Sequence, residues 1–108
     1  MISDNKILSM IGLATKAGKT VTGTTACDFS IRRKNARLVL LATDASENSL
    51  SHAIKLCKAN DIGYMLFSTK EKLGCFTGKT DRVIIAITDD GFAKRVSEMI
   101  NDFNNNNK

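Results

Sequence analysis

An α/β domain with helices on both sides of one sheet is the fold class that three features of this 108-residue sequence predict. The first is Arg37-Leu-Val-Leu-Leu-Ala-Thr-Asp44, an apolar run too short for a typical helix and bounded by turn-forming residues. Such a run reads as a strand buried on both faces. The second is its echo, Arg82-Val-Ile-Ile-Ala-Ile-Thr-Asp89, with the same spacing and a helical pattern after its Asp. The third is the alternation of such runs with helical periodicity along the whole chain, without a proline or a long linker. Strands that each feed a helix pack as layers around one sheet.

Taken in order, Ser3 or Asp4 is placed to cap a first helix whose Ile7, Met10, Ile11 and Ala14 recur at three- and four-residue steps, with Ala17-Gly18 as the stop. Lys19 to Thr22 is short and β-branched, which suits a brief edge strand. Gly23 then turns the chain, and Thr24 or Thr25 is expected to cap a second helix to about Arg33. Ala26, Phe29 and Ser30 are expected on its apolar side, with Asp28, Arg32 and Arg33 outward. After the strand ending at Asp44, Leu50, Ala53, Ile54 and Cys57 share one face of a helix from Ser46 to about Asn60. Tyr64 to Phe67 is a third apolar strand. Ser68, three residues ahead of Glu71, fits a capping box for a helix of little more than one turn that stops at Leu73-Gly74. The loop from Cys75 to Asp81 leads into the last strand. Phe92, Val96, Met99, Ile100 and Phe103 stripe the final helix, so one domain is expected over residues 1–103, with 104–108 as a disordered tail.

Composition bounds the function. A chain of this length buries about two thirds of its unfolded surface in one domain. Apolar runs fall short of the roughly 20 residues that cross a bilayer, and the N-terminus lacks a signal-peptide layout, so a cytoplasmic protein without membrane contact is expected. Three cysteines without C-x-x-C spacing and the single His52 argue against disulfides and against a metal site. The net charge of +5 is concentrated: residues 1–37 hold seven Lys/Arg against two acids, whereas 38–108 carry nine of each. A localised cationic region is the footprint of a polyanion-binding face.

Gly-Lys-Thr occurs at Gly18 and again at Gly78, but neither is a P-loop. That loop needs four residues between its glycines, and Gly12 to Gly18 has five where Gly74 to Gly78 has three. Each tripeptide also follows a helix rather than a strand. What both offer is a permissive glycine followed by a cation and a hydroxyl at a chain reversal, suited to phosphate. At the first, Lys19 precedes Gly23, Thr24 and Thr25, where helix-start amides and a positive dipole end face an anion, with Arg32, Arg33 and Lys34 close in sequence. The plainer reading is that both glycines end helices. Cys57 falls on an apolar stripe and His52 is its helix neighbour, so packing outweighs a nucleophile and base. Asp44 and Asp89 are simplest as helix caps, and the few aromatics do not make a stacking platform.

Gly12-Leu-Ala14 with Ala17-Gly-Lys19, Val21, Gly23, Ala36-Arg-Leu-Val-Leu-Leu-Ala42, Asp44-Ala45, Lys70-Glu71, Leu73-Gly74, Gly78-Lys79 and Ala86-Ile-Thr-Asp89 together carry a resemblance over residues 4–97. The sequence resembles the bacterial YlxQ-like branch of the kink-turn RNA-binding ribosomal-protein superfamily, whose fold is shared by Pelota and Gadd-type proteins. The resemblance implies a three-layer α/β/α sandwich around a mixed four-stranded sheet, no catalysis, no cofactor, and RNA as partner, either ribosomal RNA or a kink-turn, with association with ribosomes. In that superfamily the RNA face joins the start of helix two, bearing Gly-x-Asn-Glu-x-x-Lys, to the loop before the last strand. Here the glycine is Gly23, while the Asn, Glu and Lys positions hold Thr25, Ala26 and Phe29. Each lost base contact costs on the order of 1–3 kcal/mol, which lowers the expected kink-turn specificity. What persists is Gly18, Lys19, Gly23, Thr24, Thr25, the Arg32-Arg33-Lys34 cluster, and Gly78, Lys79, Thr80 and Arg82, expected to converge on one RNA-binding face. The alternative is a protein-interaction module of the same fold, as the Gadd-type proteins are. A small-molecule enzyme using the loops at Asp44 and Asp89 ranks below both.

Overall fold

The computed structural model describes residues 3–106. Their order is α1 (Asp4–Lys16), β1 (Thr20–Thr22), α2 (Thr24–Arg32), β2 (Leu38–Leu41), α3 (Glu47–Ala59), β3 (Tyr64–Leu66), α4 (Lys70–Phe76), β4 (Ile84–Ile87) and α5 (Asp90–Asn106). The two organising runs form β2 and β4, antiparallel neighbours at the centre of a sheet ordered β1-β4-β2-β3. β1 is antiparallel to β4 and β3 parallel to β2, so the sheet is mixed.

Alternation along the strands makes the layers. Leu38, Leu40, Ile85 and Ile87 face a core built with Ile7, Leu8 and Ile11 of α1, Leu73 of α4 and Val96 and Ile100 of α5. Val39, Leu41, Ile84 and Ala86 face the other way, onto Cys27 and Ile31 of α2 and Ala53, Leu56 and Cys57 of α3. Every residue of β2 and β4 is buried, because helices cover both faces. The result is a three-layer α/β/α sandwich around a four-stranded mixed sheet.

Several local expectations change. The start of α2 is Gly23 at φ 91°, with no side-chain cap, rather than Thr24 or Thr25. Its N–H donates to Ile84 O at 3.2 Å, which fixes the rotation of the helix. Cys27, Ser30 and Ile31 are therefore the buried face, and Ala26 and Phe29 are exposed. The cap of α4 is Thr69, whose hydroxyl accepts from the Lys72 N–H, because Ser68 is turned away at φ 66°. Asp44 caps α4 rather than α3, accepting from the Lys70 N–H at 2.9 Å, while Ser46 caps α3. Asp89 does cap the helix after its own strand, accepting from the Phe92 N–H. Gly74 does not stop α4. It lies inside the helix because a Cβ there would come 1.9 Å from Thr80 O, and the reversal falls at Gly78, φ 74°. The last helix continues through Asn106, so of the expected tail only 107–108 lie outside the described residues.

Candidate nucleic-acid interface

The chain reversals divide the sheet into two ends. At one lie the end of β1, the start of α2, the end of β2 and the start of β4. Here Gly23, Thr24 and Thr25 open α2, whose first-turn N–H groups have no intrahelical acceptor and no side-chain cap. Arg82 crosses to this turn, its Nε donating to Thr22 Oγ1 at 3.4 Å. The same guanidinium donates through an Nη to Asp81 O at 2.9 Å and to the Thr80 hydroxyl at 3.2 Å. The loop before β4 is thereby held against the entry to α2. Gly78 and Lys79 form the reversal just before Thr80, with the Lys79 N–H donating to Gly74 O at 2.8 Å. Positive side chains and free amides at one helix start favour phosphate oxygens.

A cavity of about 220 Å³ adjoins this end, between α2 and α3. Its floor is Leu41, Ala53, Val83 and Ile84, and Thr24, Ser49 and His52 are at its rim. His52 Nε2 lies 2.7 Å from Asp28 Oδ2, joining α3 to α2, while Asp28 Oδ1 is buried without a hydrogen-bond partner. Nothing in the sequence signalled this pair, because its members sit 24 residues apart. Below it, burial pushes the Cys27 thiol up to about 12 and the Cys57 thiol up to about 11, with the Asp28 charge adding to both. Thiols so far from ionising are packing groups rather than nucleophiles.

The other end of the sheet gathers a second set. The Lys19 carbonyl accepts from the Thr88 N–H, and the Arg37 N–H donates to Ile87 O. α2 runs back alongside β1, which brings Arg32, Arg33 and Lys34 to this end, with Arg33 stacked on Phe29 at 4.5 Å. Gly18, at φ 73°, supports the turn into Lys19. Four residues of strand at about 3.3 Å each put some 13 Å between Lys19 and Gly23. The expected single face is thus two: Gly23, Thr24, Thr25, Thr80 and Arg82 together, and Gly18, Lys19, Arg32, Arg33 and Lys34 at the opposite end. Asp44 and Asp89 are likewise parted, since Asp44 follows β2 at the first end and Asp89 follows β4 at the second. Among the described residues no cluster of His, Cys, Asp or Glu could hold a metal ion, and no helix is long and apolar enough to cross a membrane.

A family match covers most of the chain. The model of the ribosomal protein L7Ae/L30e/S12e/Gadd45 family matches residues 5–97. The chain belongs to that family. Within the L7Ae/L30e/S12e/Gadd45 family it is similar to the RNA-binding protein YlxQ of Bacillus subtilis, 35% identical over 91 residues, covering 84% of this chain and 91% of that one. The RNA-binding protein YlxQ of Enterococcus faecium is 33% identical over 95 residues, covering 88% and 91%. A solved structure of a Bacillus halodurans protein of unknown function superposes with a TM-score of 0.85 at 28% identity, over 89% of this chain and 97% of that one. The layering of helices and mixed sheet is shared with that structure.

Proposed function

We propose that this protein is a non-enzymatic RNA-binding protein that docks the start of α2 and the loop from Gly78 to Arg82 against the phosphates of a structured RNA. The observation that carries the reading is the Arg82–Thr22 hydrogen bond, which sets a cation beside uncapped helix-start amides. The names of its YlxQ relatives as RNA-binding proteins support it. Ribosomal RNA and kink-turns are the RNA classes to test first, in the cytoplasm and on ribosomes. Thr25, Ala26 and Phe29 stand where the wider superfamily carries Asn, Glu and Lys, so backbone contact outweighs base readout.

The decisive variant is Thr25→Glu. A carboxylate in the first turn of α2 favours the helix dipole, so folding is preserved or improved, yet it repels phosphate. Titrating a kink-turn RNA and an unbent duplex of equal length should show both binding to the wild type, with affinity falling about tenfold in the variant, or about 1.4 kcal/mol. Unchanged isotherms in a variant of unchanged melting temperature would refute this interface. Equal wild-type affinity for the two RNAs would remove kink-turn specificity and leave general RNA binding.

A further inference from the structure

The side of α2 away from the core carries something that the proposed RNA interface does not use. Phe29 is 59% exposed, on a helix whose other face supplies the core. Arg33, one helical turn on, lays its guanidinium over the ring at 4.5 Å from the centroid. Beside the ring a groove of about 430 Å³ runs between α2 and the edge of the sheet, lined by Val21, Phe29, Ser30, Asn35, Arg37 and Thr88. Ser30 closes the floor beneath the others, a residue only 6% exposed whose Oγ is sealed from the groove.

We infer that this groove receives an unpaired base of the bound RNA, stacked on Phe29, with flanking phosphates held by Arg33, Arg37 and Lys19. The inference rests on the RNA-binding reading and adds a subsite to it. Charge selects the occupant. Arg33 covers the ring, Arg37 lines the groove, and the Lys19 backbone is bonded to Thr88 of the groove wall. Arg37 also pairs with Asp90 at 3.2 Å, but both side chains stay exposed, so the pair yields readily to a phosphate. An apolar ring, a guanidinium plane and polar atoms within one groove are the elements by which splayed-out bases are held, and stacking tolerates any base. The Asn35 amide offers both a donor and an acceptor to the base edge.

The test uses one RNA hairpin in two forms, blunt or with a tail of unpaired adenosines. The tail should raise wild-type affinity about 5- to 150-fold, the range of one stacked base. Phe29→Ala should abolish that increment while binding the blunt hairpin like the wild type, and Phe29→Tyr should keep it. Because the chain has no tryptophan, Phe29→Trp adds a sole indole emitter, and its emission should be quenched by the tailed hairpin more than by the blunt one. A tail without effect on wild-type affinity, or an increment that survives Phe29→Ala, overturns the inference. Failure of the blunt hairpin to bind the wild type would bring down the RNA-binding reading as well, whereas blunt binding without a tail increment removes only this subsite. Should Phe29→Ala spare the tail increment but abolish a protein capture that resists ribonuclease, the groove belongs to a protein partner instead.

Discussion

Cys27 lies wholly buried under β1, its Sγ donating to Val21 O at 3.4 Å and, more weakly, to Ile84 O at 3.8 Å. Both acceptors flank the turn that opens α2, so the thiol fastens the proposed interface from beneath. Burial raises its pKa from the ordinary 9.0 to about 12. Below pH 9 the thiol is neutral in folded and unfolded chains alike and its contribution is fully present. As pH rises from 9 toward 12 only the unfolded chain ionises, and the folded state loses up to about 1.4 kcal/mol per pH unit. Urea midpoints measured from pH 8 to pH 11 should therefore fall more steeply in the wild type than in Cys27→Ala. Parallel curves would show that this thiol does not sense the unfolding. At the same scale, Phe29 shows why an apolar residue is a poor witness to burial: its neighbour Ile31, two residues on, takes the core position.

α4 is where an element's length depends on a contact remote in sequence. Gly74 looks like a helix stop when only its neighbours are considered, yet it is the point where the chain at Thr80 passes over the helix. Replacing it with alanine places a methyl group against the Thr80 backbone, which must shift. Overpacking of this kind costs about 1–3 kcal/mol, and the displaced loop carries Thr80 and Arg82 with it. Gly74→Ala is expected to lower the denaturant midpoint and to weaken RNA binding together, whereas a mere loss of helix stop would leave both unchanged. Strands β2 and β4 were legible from composition because both faces are buried, and runs of Val, Ile and Leu announce that directly. The face of α2 was not, since Ala26, Phe29 and Ser30 fit a helical stripe as well as Cys27, Ser30 and Ile31 do. The Gly23 N–H bond to Ile84 O decides between them, and it joins residues 61 positions apart. The division of the candidate interface residues between two ends was not legible, because it needed the strand pairing.

Over the whole molecule, cations and helix-start amides gather at two stations, with Gly23 to Thr25 and Arg82 where β1 meets α2 and Lys19 with Arg33 at the far ends of those two elements. Separation by about 13 Å exceeds the range over which substitutions usually couple. Lys19→Glu and Thr25→Glu should therefore weaken a tailed RNA additively, and Lys19→Glu should lower the slope of log affinity against log salt by about one or more. Filter-binding titrations between 50 and 200 mM salt, the range where such slopes are read, decide this. A double variant no weaker than the worse single one would mean that RNA engages one station only. The sheet itself ends in β1 and β3, each three residues long. Margins that brief present too few unpaired peptide groups to recruit a neighbouring chain into a continuous ladder. The shortness of its outermost strands thus guards the protein, even where copies crowd together, against stacking into fibrils.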